Sequence, residues 1–177
     1  MKTNARRKAP IAWVVMGVSG CGKSEVGMRL AQTLGARFIE GDRFHPMENV
    51  AKMSAGVPLS DADRQGWLQA LRAEIEHAWD AGEQVVLACS ALKRAYRDIL
   101  RGDSGAVRFV HLHGERGLIA QRMAARAGHF MPQSLLDSQL RDLEPLQRDE
   151  GGMTLDLRQS PSMLVEHVVA SLKNEYL

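Results

Sequence analysis

The sequence predicts an α/β fold in which a doubly wound parallel sheet is flanked by helices. The first observation is that short apolar runs alternate with longer amphipathic ones along the 177 residues, with no repeat or linker between them. The second is the run QVVLAC at residues 84–89, whose continuous β-branched and apolar side chains suit a strand covered on both faces. Strands that alternate with helices in this way form parallel sheets through right-handed crossovers.

Hydrophobic periodicity places five strands and six helices. The predicted strands cover residues 11–16, 37–40, 84–89, 107–112 and 154–157, and the predicted helices cover residues 25–34, 47–54, 63–81, 118–127, 135–143 and 163–173. We expect Trp67, on the longest helix, to pack in the core rather than to stack on a sugar. Ligands of such sheets bind beyond the carboxyl ends of the strands, so the residues that directly follow each strand are the first candidates for a site.

Composition bounds the domain count and excludes several classes of function. A chain of 177 residues with 45% hydrophobic and 25% charged residues suits one domain, which we assign to residues 11–177, after a flexible basic tail at residues 1–10. A net charge of +2 gives no broad footprint for nucleic acid, and no apolar stretch is long enough to span a membrane. Cys21 and Cys89 form no C-x-x-C pattern and no secretory signal is present, so we expect a cytoplasmic protein with reduced thiols.

A phosphate-binding loop follows the first predicted strand. Residues 17–24 read GVSGCGKS, which satisfies the pattern G-x-x-x-x-G-K-S and leads directly into a helix. Glycines allow successive backbone N–H groups to converge on a phosphate, and the helix N-terminus adds its positive dipole end. We expect Lys23 to neutralise the β- and γ-phosphates of ATP and the Ser24 hydroxyl to ligate Mg²⁺. The residues expected to bind the nucleotide here are Gly17, Val18, Ser19, Gly20, Cys21, Gly22, Lys23 and Ser24.

The rest of the chain indicates which kind of protein carries this loop. The N/T-K-x-D motif that reads guanine in GTPases is absent, and the third strand continues into Cys89 and Ser90 instead of ending in the acid of motor ATPases. The carboxylate nearest the loop is therefore expected to be Asp42, at the end of the second strand. These features favour a small-molecule kinase, and a nucleotide-dependent switch protein is the alternative from a different class.

Two arginines predict a mobile lid. Arg122 and Arg126 lie four residues apart on one face of a predicted helix, and they lead into AGHFMP at residues 127–132, which is rich in helix breakers. A small kinase needs such a lid to exclude water and to stabilise charge on the transferring phosphoryl group. We therefore expect both arginines to contact the nucleotide and Arg126 to act in catalysis. A solvated basic helix face is the alternative interpretation.

Five blocks of the sequence carry a resemblance to a known family. They read MGVSGCGKS at residues 16–24, GDRFHPMENVAKMSAGVPLSDADRQGWL at 41–68, CSALKRAYRDILR at 89–101, RAGHF at 126–130 and LLDSQLRDLEP at 135–145. They resemble the gluconokinase family of small P-loop kinases, relatives of shikimate and nucleoside monophosphate kinases. The resemblance implies transfer of the ATP γ-phosphoryl group to the 6-hydroxyl of D-gluconate, and a homodimer. A kinase of another small hydroxy acid such as shikimate, or of a nucleotide, is the alternative within the fold.

Candidate substrate residues lie in or beside loops at the expected active edge. A sugar acid needs cations for its carboxylate and mixed donors and acceptors for its hydroxyls. The candidates are Asp42, His45, Lys52, Arg64, Lys93 and Arg97, to which the resemblance adds His129. Asp42 is also expected to deprotonate the attacking hydroxyl and to help bind Mg²⁺, so Lys23, Asp42 and Arg126 form the expected catalytic set.

Most of these candidates also have a structural alternative. His45 precedes Pro46 and has the position of a helix cap, and Arg64 has Asp61 and Asp63 as neighbours for an ion pair. The alternative interpretation of the remaining three cations, Lys52, Lys93 and Arg97, is that they are solvated charges on helix surfaces. Asp42 has the weakest structural alternative, because a carboxylate at a strand end that faces a phosphate loop has no evident role in packing.

Overall fold

Five parallel strands form one sheet. The structure is a computed structural model, and it describes residues 10–126 and 132–174. The strands are β1 (Ala12–Met16), β2 (Arg37–Glu40), β3 (Val85–Ala88), β4 (Val107–His113) and β5 (Gly152–Asp156). Their order in the sheet is β2-β3-β1-β4-β5, and every neighbouring pair is parallel. The predicted doubly wound parallel sheet is therefore confirmed.

Helices flank this sheet and connect its strands. Within the described residues they are α1 (Lys23–Leu34), α2 (Met47–Ser54), α3 (Asp61–Asp80), α4 (Arg94–Arg101), α5 (Arg116–Ala124), α6 (Gln133–Asp142) and α7 (Pro161–Asn174). Short 3₁₀ turns cover Gly41–Phe44 and Arg148–Glu150. The six predicted helices are all present. Periodicity did not mark α4 as a separate element, because its sequence RAYRDILR covers only about two helical turns.

Several helix boundaries differ from the prediction by a few residues, and two of these differences bear on the site. Helix α3 begins earlier, at Asp61, because the Ser60 hydroxyl accepts the Asp63 N–H at 3.1 Å while the Asp63 carboxylate accepts the Ser60 N–H at 2.9 Å. Helix α5 ends earlier, at Ala124, so Arg126 lies beyond the helix and not on its face. The centre of the predicted lid, at residues 127–131, lies outside the described part of the chain, as do residues 1–9 of the predicted tail.

Apolar side chains from the central strands and the helices form the core. Every residue of β1 and β3 is buried, which is the pattern expected for strands covered on both faces. Leu68 and Leu71 of α3 are fully buried against them. Trp67 is also buried, and its indole N–H donates to the carbonyl oxygen of Gly41 at 2.8 Å. The prediction that Trp67 packs in the core is therefore confirmed.

The carboxyl ends of three strands bring most of the candidate residues to one edge of the sheet. The phosphate loop follows β1, the 3₁₀ turn Gly41–Phe44 follows β2, and residues 90–93 follow β3. Gly41 approaches β3 so closely that a Cβ atom on it would lie 2.4 Å from the carbonyl oxygen of Ala88, so only glycine fits there. This close approach carries the next residue, Asp42, to the end of β3.

Arg97 does not reach this edge. Its fully buried guanidinium donates to the two carboxylate oxygens of Glu150 at 2.6 and 3.0 Å, and to the carbonyl oxygens of Ala91 and Leu92 at 3.0 Å. Burial raises the pKa of Glu150, but hydrogen bonds from Arg97 and the Gln147 N–H outweigh it, so the pKa lies below its usual value. The prediction that Arg97 binds substrate is therefore corrected, because its donors are used to tie α4 to the segment before β5.

We expect Arg97→Met to lower the free energy of unfolding by about 3 kcal/mol, because the variant leaves the Glu150 carboxylate buried without its main partner. Urea titration followed by circular dichroism measures the change. The matched control is Arg101→Met, which removes a 3.5 Å contact with the same carboxylate, an exposed ion pair with Asp98 and a cation–π contact with Phe109, and should cost about 1 kcal/mol. Equal losses in both variants would contradict the structural role of Arg97.

Candidate active site

The phosphate loop has the backbone conformation that wrapping around a phosphate requires. Gly17, Gly20 and Gly22 have φ angles of 144°, 81° and 91°, in the region that favours glycine. At Gly20 a Cβ atom would also lie 2.4 Å from Cγ of Met123 on α5, so both conformation and space demand glycine. Helix α1 begins at Lys23, directly after the loop, and its N-terminus therefore adds the positive end of its dipole to the loop.

The side chain of Lys23 folds back over the loop. Its Nζ atom donates to the carbonyl oxygen of Val18 at 3.0 Å and lies 4.0 Å from Sγ of Cys21. The side chains of Val18 and Cys21 are buried, so these two residues can offer a nucleotide only their backbone groups. The ammonium group, by contrast, lies beside the loop backbone, where the charge of a bound phosphate needs a partner.

Sequence reasoning missed a carboxylate that lies next to the loop. Ser24 Oγ donates to Oε2 of Glu40 at 2.5 Å. The prediction that Asp42 is the nearest carboxylate is therefore wrong, since it is Glu40, the last residue of β2, that bonds a side chain of the loop. Its position at the carboxyl end of a strand was the available signal. The hydroxyl and the carboxylate are hard oxygen donors, the kind that Mg²⁺ prefers.

Most of these groups line one open cavity of about 350 Å³, which we call the phosphate cleft. Its lining residues are Ser19, Gly20, Gly22, Lys23, Ser24, Glu40, Asp42, Arg43, Met123 and Arg126. The structure thus brings together Lys23, Asp42 and Arg126, the three residues of the expected catalytic set. Arg43 is a further cation in the cleft that sequence reasoning missed, although it directly follows Asp42.

Several charged side chains act on the buried thiol of Cys89, which directly follows β3. Burial raises the pKa of this thiol to about 12. The negative charge of Asp42 also raises it, whereas the positive charges of Lys23 and Arg64 act in the opposite direction. All three side chains therefore lie near enough to act on this strand end. The thiol itself stays protonated, which leaves it without nucleophilic character.

His45 lies behind Asp42, with only 4% of its side chain exposed. Its ring stacks on Trp67 at a centroid distance of 4.0 Å, and its Nε2 lies 4.0 Å from Oδ1 of Asp42. The Nδ2 group of Asn49 donates to the carbonyl oxygen of Asp63 at 2.8 Å and lies 3.3 Å from Nδ1 of His45. One amide hydrogen is thus available for Nδ1, which then accepts it and leaves the ring proton on Nε2, facing Asp42.

Burial keeps the His45 ring neutral. It lowers the pKa of His45 below its usual value, against the attraction of Asp42, and the charge of Arg64 lowers it further. A neutral imidazole with its proton on Nε2 is a hydrogen-bond donor toward Asp42. His45 was predicted to bind substrate, with helix capping as the alternative, and the α2 N-terminus has no side-chain cap. Asn49, which sequence reasoning did not single out, fixes the tautomer.

Two lysines predicted to bind substrate are paired with carboxylates. Nζ of Lys52 donates to both carboxylate oxygens of Asp63 at 2.8 and 2.9 Å. The bond from Lys52 and those from Ser60 lower the pKa of Asp63 to about 2. Nζ of Lys93 donates to Oδ1 of Asp61 at 2.9 Å. Both lysines are therefore held in place rather than loosely solvated.

The guanidinium of Arg64 is buried between a phenolic hydroxyl and a carboxylate. Its guanidinium donates to the Tyr96 hydroxyl at 2.9 Å and to Oδ2 of Asp142 at 3.2 Å, and the Tyr96 hydroxyl donates to Asp61. Asp142 lies on α6, so the anticipated pairing of Arg64 with a neighbour on its own helix is replaced by a contact between helices. We call the whole group, Lys52, Asp61, Asp63, Arg64, Lys93 and Tyr96, the acceptor cluster.

A second cavity, of about 370 Å³, adjoins the phosphate cleft and shares Gly20, Gly22 and Arg126 with it. Arg122 also lines it, and the Arg122 guanidinium is fixed by donating to the carbonyl oxygen of Leu157 at 2.9 Å. Gln159, another lining residue, has a buried Oε1 atom without a hydrogen-bond partner in the described structure. Apart from the loop glycines, Cys21 and the two arginines, sequence reasoning singled out none of the residues that line this cavity.

One predicted substrate residue, His129, belongs to residues 127–131, outside the described residues. Its contact with substrate therefore stays a prediction. Among the described helices, none combines the length and apolar character needed to cross a membrane.

Known proteins resemble this chain along most of its length. The model of the family described as shikimate kinase matches residues 19–173. Gluconokinase of Gluconobacter oxydans (strain 621H) is 46% identical over 162 residues, which cover 92% of this chain and 91% of that protein. An unliganded sugar kinase from Janibacter sp. HTCC2649 superimposes with a TM-score of 0.88 at 48% identity, covering 93% of this chain and 95% of that one.

A gluconokinase structure gives the same result. The enzyme from Sinorhizobium meliloti 1021 superimposes with a TM-score of 0.84 at 46% identity, over 95% of this chain and 94% of that one. Both the match to the family model and the identity to the gluconokinases extend well beyond the phosphate loop, through the acceptor cluster and α6. The chain therefore belongs to the shikimate kinase family of ATP-dependent kinases, among its gluconokinase members.

Proposed function

We propose that this kinase transfers the γ-phosphoryl group of ATP to the 6-hydroxyl of D-gluconate, giving 6-phosphogluconate and ADP. The observation that carries the proposal is that Lys23, Asp42 and Arg126 line one cleft beside an acceptor cluster rich in cations. Identity of 46% to a gluconokinase over 92% of the chain supports gluconate as the acceptor. A kinase for shikimate or for a nucleotide is less well supported, because a shikimate kinase from Acinetobacter baumannii is only 17% identical to this chain.

On the donor side, the phosphate loop binds the β- and γ-phosphates. The backbone N–H groups of the loop and the N-terminus of α1 donate to them, and Lys23 exchanges its bond to Val18 for a phosphate oxygen. Mg²⁺ fits the oxygen donors of Ser24 and Glu40, which already lie within 2.5 Å of each other, with Asp42 in the same cleft. When bound, the ion neutralises charge on the phosphates.

On the acceptor side, Asp42 accepts the proton of the 6-hydroxyl as the new O–P bond forms and the bond to the β-phosphate oxygen breaks. The side chain of Asp42 is 75% exposed, so a substrate hydroxyl can reach it. His45, as a neutral donor on Nε2, orients the carboxylate from behind. Asp42 thereby acts as the base, and His45 acts as the residue that positions it.

Cations of the acceptor cluster hold the substrate carboxylate. Arg64 is the strongest candidate, because its planar guanidinium suits a carboxylate and it lies near the end of β3 with Asp42. Lys52 and Lys93 are the other candidates. Each of the three cations is paired with a carboxylate, so the substrate carboxylate shares or replaces the contact with Asp63, Asp61 or Asp142. Such sharing or replacement favours an acid over a neutral sugar.

Arg126 covers the transferring phosphoryl group, and Arg122 contacts the nucleotide. Arg126 lines both cavities, so it lies where the phosphate and nucleoside parts of ATP would meet. Residues 127–132, with His129, close over the acceptor and exclude water, which would otherwise hydrolyse the donor. This assignment extends the lid expected from the sequence.

We expect D-gluconate with MgATP to stimulate ADP formation far more than shikimate or any nucleoside monophosphate. A coupled ADP-release assay over these acceptors measures the difference. The reason is the acceptor cluster, whose paired cations match a carboxylate with neighbouring hydroxyls. Equal turnover with a nucleoside monophosphate would refute gluconate as the substrate, and slow ATP hydrolysis that ignores every acceptor would indicate a switch protein.

We further propose a cytoplasmic homodimer. Both cysteines of the chain are unpaired and buried, which suits a reducing compartment. The resemblance to gluconokinases supports the dimer. Sedimentation equilibrium over a range of concentrations tests it, and a mass of 19.6 kDa at every concentration would identify a monomer.

A further inference from the structure

A residue of α6 occupies one of the hydrogen-bond donors of the phosphate loop. The backbone N–H of Ser19 donates to Oε1 of Gln139 at 2.7 Å, across 120 positions of sequence. Ser19 also lines the phosphate cleft, and this N–H is one of the backbone donors of the loop. Gln139 lies on α6, which begins at Gln133, shortly after residues 127–131.

This contact competes with a phosphate. A backbone N–H carries a single hydrogen, and a phosphate oxygen and the amide oxygen of Gln139 are both acceptors. The two acceptors would repel each other if they shared the Ser19 N–H. A phosphate oxygen that bonds to the Ser19 N–H therefore displaces Gln139.

A second contact of the same helix competes with the other substrate. Asp142, which follows Gln139 by three positions on α6 and so shares its face, accepts a hydrogen bond from Arg64 at 3.2 Å. Arg64 is the buried cation of the acceptor cluster. Arg64 keeps further N–H groups for a substrate carboxylate, but that carboxylate would bring a second negative charge beside Asp142, and the two charges repel each other.

The geometry points to Gln139 as a positioning residue that couples the two substrates, an inference that rests on the proposed function. Helix α6 is docked through Gln139 on the donor side and through Asp142 on the acceptor side. The first substrate to bind displaces the helix and bears the cost of undocking it. The second substrate then meets neither Gln139 nor Asp142 at its site and binds more tightly, which is positive coupling between the two sites.

Isothermal titration calorimetry measures this coupling. The full chain is titrated with the Mg²⁺ complex of a non-hydrolysable ATP analogue, with and without gluconate. We expect the analogue to tighten gluconate binding at least about fivefold in the unaltered protein, and gluconate to tighten the analogue by the same factor. In Gln139→Leu, which cannot accept from Ser19, the analogue should bind several-fold more tightly and the coupling factor should fall to about two or less. The matched control is Gln133→Leu, on the exposed first turn of α6, which should keep the full coupling.

Gln139→Glu gives an effect of opposite sign. The carboxylate keeps an acceptor for the Ser19 N–H but repels the phosphates, so the analogue should bind at least about tenfold more weakly. A purely structural Gln139 would make both variants weaken the analogue alike, and that result would overturn the proposal, as would unchanged coupling in Gln139→Leu. If gluconate fails to bind at all, the proposed function is wrong, and the opposite shifts in analogue affinity still decide the role of Gln139.

Discussion

Replacement of Lys23 by alanine is expected to lower kcat by about 10³-fold, or about 4 kcal/mol of transition-state stabilisation. The ammonium group donates to the carbonyl oxygen of Val18 at 3.0 Å and otherwise has only a 4.0 Å contact with Sγ of Cys21. Its main partner is therefore the charge that develops on the β- and γ-phosphates during transfer, and water cannot replace it inside a closed site. Initial rates of ADP formation at saturating gluconate and ATP measure the loss.

The fold should survive this substitution. Loss of one hydrogen bond in a half-exposed loop costs about 1 kcal/mol or less, which urea unfolding can verify. Lys173→Ala, at an exposed position near the end of α7, serves as a matched control and should leave kcat unchanged. If the Lys23 variant retains more than about a tenth of the normal kcat, the loop does not act on the transferring phosphoryl group.

The sheet and the phosphate loop were predictable because their signals are local. A continuous apolar run such as residues 84–89 specifies a buried strand wherever it lies, and the spacing of Gly17, Gly22 and Lys23 specifies a loop conformation within one segment. The chain order of strands and helices then restricts the topology to parallel crossovers. The position of Asp42 in the cleft follows from that topology, since it directly follows β2.

The partners of charged side chains were not predictable in the same way. Lys93 and Arg97 lie four residues apart, and the sequence gives no reason to treat the two cations differently. Lys93 nevertheless reaches Asp61 at the active edge, while Arg97 is fully buried against Glu150. The difference depends on which segment packs over α4, and in this chain that segment lies about fifty residues later. Glu40 was missed for a related reason, because only the fold places its carboxylate on Ser24.

Helix α6 shows this limit most clearly. LLDSQLRDLEP contributes to the resemblance, but no local pattern indicates that Gln139 reaches the phosphate loop or that Asp142 reaches Arg64. Amide and carboxylate side chains on a helix are usually solvated. Their roles appear only when the packing of α6 against both substrate sites is known.

Asp42→Asn is expected to lower kcat by at least about 10²-fold while leaving ATP affinity nearly intact. The amide keeps the size of the carboxylate, but it accepts a proton far less readily, so the attacking hydroxyl loses its base. Phosphoryl transfer depends mostly on positioning and charge, which is why the expected loss is smaller than for Lys23. Steady-state kinetics with varied gluconate and varied ATP separate kcat from the two KM values, and Asp103→Asn, in an exposed turn before β4, is the matched control.

Glu40→Gln distinguishes the base from a metal-binding carboxylate. Glu40 bonds Ser24 directly, so its variant should weaken Mg²⁺ binding, and excess Mg²⁺ should restore part of its activity. Asp42→Asn should not recover with Mg²⁺, because a missing proton acceptor is not replaced by a cation. If Asp42→Asn instead keeps a near-normal kcat and raises only the KM for gluconate, Asp42 merely holds the sugar acid. The neutral His45, 4.0 Å behind it and able to receive a proton only at the ring nitrogen that faces Asn49, would be poorly placed to take over as base.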